Sequence, residues 1–113
     1  MQNNGSSVLS EQRQSKRKIL KVKALLALED GPTLLARTID VGGEGMCVTV
    51  PDAISKGAMG TICFEIFHEG KAIPISVRSR AQYCILSNGE YKVGFRFVAL
   101  ELSAMASLAK FLH

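Results

Sequence analysis

Apolar and polar residues alternate with a period of two through most of this chain, and turn chemistry interrupts the alternation at short intervals. That pattern admits strands paired as hairpins and leaves little room for helix. From Lys21 to Leu28, Lys21 and Lys23 face one way and Val22, Ala24, Leu26 and Leu28 the other. Glu29-Asp30-Gly31-Pro32 then forms a turn, because glycine accepts positive φ and proline fixes its own. Further strands are expected over Thr33–Val41, Met46–Val50, Thr61–Phe67, Ile73–Ile85 and around Val93, Phe95 and Phe97. Pro51, the His68-Glu69-Gly70-Lys71 turn and the Ser87-Asn88-Gly89-Glu90 turn punctuate them, Asn-Gly being a strong hairpin signal.

After these strands the period changes. Leu102, Met105, Leu108, Ala109 and Leu112 recur at three- and four-residue intervals, which predicts a closing helix with Ser103 as its N-cap. The expected fold is therefore all-β with one C-terminal helix: a six-stranded antiparallel barrel with the helix packed on one opening or side.

A chain of 113 residues that is 47% hydrophobic matches one domain with a single core. No apolar run reaches the roughly 18 residues of a membrane span, and the start has no apolar signal segment, so a cytoplasmic location is expected. Cys47, Cys63 and Cys84 lie far apart without a CxxC or Cys/His pairing and read as buried, reduced thiols in strands. His68 and His113 have no companions at ligand spacing and read as surface or turn residues. Neither a metal site nor enzyme chemistry is expected, because no nucleophile, base and orienting group, no ligand cluster and no phosphate-binding loop motif occur together.

Charge is distributed unevenly. Residues 11–23 contribute +5 through Arg13, Lys16, Arg17, Lys18, Lys21 and Lys23 against Glu11, while the rest of the chain sums to −1 of a net +4. Such a patch concentrates an anionic partner. A nucleic-acid patch is the weaker reading, since no aromatic residues interleave the basic run for base stacking.

Two elements sharpen the anion reading. Arg13-Gln14-Ser15-Lys16-Arg17 places two arginines four residues apart just before the first strand, and Asp40-Val41-Gly42-Gly43-Glu44-Gly45 forms a glycine-rich strand connection. Guanidinium forks suit phosphate oxygens and stack on purines, and a carboxylate accepts bonds from the N1–H and N2–H₂ edge of guanine. In this pairing the chain resembles the PilZ family of cyclic di-GMP receptors, whose signatures are RxxxR and, about 20 residues on, [DN]xSxxG. The VGFRF run at Val93–Phe97 and the closing helix look like the last strand and C-terminal helix of that family.

Residues 1–10 are polar, with Asn, Gly and Ser, and hold too little apolar surface to order themselves, so a flexible N-terminal tail is expected there. The resemblance implies a PilZ-type barrel over residues 11–113. It also implies that Arg13 and Arg17 grip phosphates and stack on guanines, that Asp40 reads a guanine edge, and that Gly45 keeps the turn open to ligand. Gln12, Lys16 and Lys18 are neighbours placed to add contacts. The family's serine is Gly42 here, a lost hydroxyl contact of about 0.5–1.5 kcal/mol, and Glu44 adds a carboxylate near the expected phosphates. The implied function is a cyclic di-GMP receptor whose N-terminal arm changes conformation on binding to regulate a protein partner or fused domain. The alternative is a PilZ-like protein–protein adaptor that binds the nucleotide weakly or not at all.

Overall fold

The computed structural model describes residues 16–113. Seven strands and one helix follow in order: β1 Arg17–Ile19, β2 Lys23–Leu28, β3 Thr33–Gly42, β4 Gly45–Val50, β5 Met59–His68, β6 Lys71–Ser87, β7 Glu90–Ala99 and α1 Leu102–Leu112. Six of the strands form an antiparallel ring, β3–β2–β5–β6–β7–β4, which closes because β4 also pairs with β3. Closure leaves those strands without an open edge. Inward positions carry Leu26, Ile62, Ile66, Val77 and Val93, all sealed from solvent. The turn after β6 has Asn88 and Gly89 both at positive φ, 51° and 80°, the twist a two-residue hairpin requires.

The expected strands all form, and β1 is an addition to them. It lies along β3, Arg17 opposite Gly42 and Ile19 opposite Asp40, and β2 continues on the same side of β3 with Lys23 opposite Arg37. Three residues, Leu20 to Val22, therefore face two, Thr38 and Ile39, so β1 and β2 are one strand interrupted by a bulge. The buried Thr38 hydroxyl fills that break: it accepts from the Val22 N–H at 2.9 Å and donates to the Leu20 carbonyl. The Thr38 N–H bonds the Val22 carbonyl at 2.8 Å. Period-two reading does not find this, because a side chain stands in for a missing backbone partner.

Three further expectations are corrected. The N-cap of α1 is Glu101, in extended conformation and with no side-chain cap bond, and Ser103 lies inside the first turn. The buried face is Ala104, Leu108 and Phe111, whereas Leu102 is 80% exposed and Met105 and Ala109 are also exposed. Docking against β5 and β6, through a face that includes Phe111, selects a stripe rotated from the one richest in leucine. Of the cysteines only Cys47 is buried; Cys63 is exposed and Cys84 intermediate, and all three are free thiols.

Replacing Thr38 with Val keeps the shape and removes the hydroxyl, leaving a buried donor and acceptor unpaired at about 1–3 kcal/mol. Thermal unfolding is expected to fall by about 4–8 °C per kcal/mol lost, with Thr38→Ser retaining most of the stability.

Candidate functional site

The bulge in β3 decides where Asp40 points. Ala36 and Thr38 face the core, and unbroken alternation would send Asp40 after them; instead Val41 is the next buried side chain. The β3–β4 register accounts for it: Thr38 opposes Val48, but Asp40 opposes Cys47, so Ile39 is an inserted residue. One extra residue reverses the phase and turns Asp40 onto the outer surface.

Arg17 meets it there. Its Nε and Nη2 donate to Asp40 Oδ1 at 3.2 and 2.5 Å, with the two side chains 47% and 29% exposed. Among the described residues, Asp40 Oδ2 and Arg17 Nη1 take no hydrogen bond. A partly exposed pair of this kind is worth about 0–1 kcal/mol, so its members can be drawn to another partner at small cost.

The surface around the pair is a row across four strands. Asp40 opposes Cys47, Cys47 opposes Gly94, and Gly94 opposes Tyr83. β6 has its own inserted residue, Gln82: Ser79 and Ala81 face inward, and Tyr83 is turned outward by the same reversal of phase. The Tyr83 ring lies on Gly94, where an added Cβ would stand 2.1 Å from the nearest ring carbon. Its hydroxyl comes within 3.7 Å of Cys47 Sγ. Cys47 thus faces outward and is still only 2% exposed, and burial pushes its thiol pKa up. Arg17, Asp40, Cys47, Gln82, Tyr83 and Lys92 line a cleft of about 280 Å³ here.

The other predicted site residues fall into three groups. Lys16 is exposed beside β1. Gln12 and Arg13 lie outside the described residues. Gly42 is opposite Arg17, where a Cβ would meet the Lys16 carbonyl oxygen at 3.2 Å and Arg17 Nη1 at 3.3 Å. Gly45 begins β4, where a Cβ would lie 2.2 Å from the Phe95 carbonyl oxygen; the close approach of β7 explains the glycine without any ligand. Glu44 lines a different depression, with Gly43 and Arg96. Tyr83, Gln82 and Lys92 were missed by sequence reasoning, since only the register brings them beside Asp40. Arg80 and Arg96 stand directly opposite each other on the outer face next to Gly45, adding positive charge to this side.

A larger groove, about 790 Å³, runs over the outer faces of β2, β3, β5 and β6 and is lined by Leu25, Leu35 and Phe67 with Lys21, Lys23 and Arg37. It is mainly apolar and contains none of the motif residues. No group of three or more metal-ligating side chains occurs among the described residues, and no helix there is long and apolar enough to cross a membrane.

The family model for the PilZ domain matches residues 11–113. The chain belongs to the PilZ domain family. No curated protein matches the sequence. Among solved structures, the Bacillus subtilis inhibitor of motility MotI/DgrA superposes with a TM-score of 0.74 at 13% identity, covering 85% of this chain and 47% of that one. Borreliella burgdorferi PlzA, solved in complex with c-di-GMP, superposes with a TM-score of 0.66 at 15% identity, covering 96% and 46%. This PilZ chain therefore spans less than half the length of either neighbour.

The two close-approach glycines should respond differently to alanine. Gly45→Ala drives a Cβ into backbone and is expected to destabilise by about 2 kcal/mol or more, seen as a large fall in Tm. Gly94→Ala meets only the tip of a side chain that can swing away, so the protein is expected to fold with Tyr83 displaced. Thiol labelling checks that displacement: from their burial, Cys63 is expected to react first and Cys47 last in the unsubstituted protein, and Gly94→Ala is expected to speed labelling of Cys47 selectively.

Proposed function

We propose that this chain is a cyclic di-GMP receptor domain. The observation that carries the reading is the Arg17–Asp40 pair, one arginine of RxxxR and the acid of the second motif held together at the mouth of a cleft. On binding, Arg17 turns from Asp40 to the ligand, its guanidinium bonding phosphate and stacking on a guanine. Asp40 then accepts from the N1–H and N2–H₂ edge, Oδ2 first. Arg13 and Lys16 add phosphate contacts from the arm, and Gln12 adds a polar one. Family membership supports the ligand class, as does the fold shared with PlzA, a c-di-GMP complex.

The arm is the part that changes. Lys18 in β1 donates to the Phe111 carbonyl at 3.2 Å and sits 4.5 Å from the centre of the Phe111 ring, at the end of α1 where carbonyls are unpaired. A ligand that reorders the arm through Arg13 and Arg17 thereby alters the footing of α1, presenting a different surface to a protein partner or fused domain.

A second reading is favoured by Gly42, where the family's serine is missing: a PilZ adaptor acting through protein contacts with little or no nucleotide binding. Isothermal titration calorimetry separates the two. The receptor reading expects binding by the intact chain and a loss of about tenfold or more in Arg17→Ala, the scale of a charge-assisted hydrogen bond. No heat at tens of micromolar protein, confirmed by equilibrium dialysis, would leave the adaptor.

A further inference from the structure

Tyr83 stands in no motif, yet the fold brings it to the site. An inserted residue in β6 turns it outward, as an inserted residue in β3 turns Asp40, and the two lie at opposite ends of one cross-strand row. Bulges are common beside binding sites because they re-aim a side chain without disturbing the core. Gly94, between Tyr83 and Cys47, has no side chain, so the ring lies down over it and reaches Cys47. With one side of the ring over Gly94, Tyr83 as a residue is still 41% exposed, and it lines the cleft that holds Arg17 and Asp40.

We propose that the Tyr83 ring is a stacking platform for one guanine base of the ligand, opposite the Arg17 guanidinium. The inference rests on the cyclic di-GMP reading and extends it to a residue outside both motifs. At about 280 Å³ the cleft is smaller than pockets that enclose a whole drug-sized ligand, and it suits one base with the remainder of the dinucleotide outside. The flanking charges match guanine: Asp40 is an acceptor for the N1–H and N2–H₂ edge, and Lys92 is a cation for the O6 and N7 acceptors. The phenol stays neutral, its pKa raised by burial and by its bond to Cys47, so the platform does not repel an anionic ligand. A tyrosine over a glycine also stabilises a strand pair, and the test must distinguish the two roles.

Calorimetry on the intact chain with cyclic di-GMP, using Tyr83→Phe, Tyr83→Leu and Arg17→Ala, makes that distinction. Stacking expects Tyr83→Phe to stay within about twofold of the unsubstituted protein. Tyr83→Leu, which still covers Gly94 but offers no π-face, is expected to weaken binding by about 5- to 100-fold. In aromatic NMR spectra the Tyr83 ring protons are expected to shift on ligand addition. Folded Tyr83→Leu that binds as tightly as the unsubstituted protein, while Arg17→Ala is weakened, would overturn the platform and leave the receptor reading standing. Absence of binding by the unsubstituted protein would overturn both.

Discussion

The outward placement of Asp40 and Tyr83 at the candidate site depends on two residues inserted into otherwise regular strands. A closed barrel fixes each strand's inward side chains, since the core tolerates neither a void nor a charge. Within that constraint the only inexpensive way to bring a new side chain outside is to add a residue and reverse the phase beyond it. Ile39 does so for Asp40, and Gln82 does so for Tyr83. Both reversals occur at the same end of the barrel, so the outer surface there gains an acid and an aromatic ring while Val41, Val93 and Phe95 remain in the core.

The first bulge is also where the N-terminal arm is attached. Thr38, immediately before the inserted Ile39, supplies the hydroxyl that bridges the break between β1 and β2. Together with the backbone pairing of β1 to β3 and the Leu20 N–H bond to the Ile39 carbonyl, this threonine holds β1 in register with Asp40, which is why Arg17 and the acid meet. The Arg17–Asp40 pair is exposed enough to be weak. Both groups stay oriented without a strong mutual attraction to hold them from another partner.

Much of this was legible in advance. The two motifs, the turn at Asn88-Gly89 and the alternation of Ile75, Val77 and Phe95 depend on local chemistry and on a period that a buried face enforces. The helix shows where such reading stops. Leu102 and Met105 fit the apolar period, yet docking against β5 and β6 buries Ala104 and Phe111 instead. Cys47 shows it again: it is buried as expected but on the outside of the barrel, beneath the Tyr83 ring.

The sequence by itself determined the strand count of the barrel, its hairpins, the closing helix and the family, because turn residues, periodicity and spaced motifs act over a few residues. Tertiary structure alone decided which residues stand beside Asp40. Cys47, Gly94 and Tyr83 are its neighbours only through hydrogen-bond register among four strands. That register is set by inserted residues whose positions follow from closing the ring, a constraint on the whole sheet that no single segment carries.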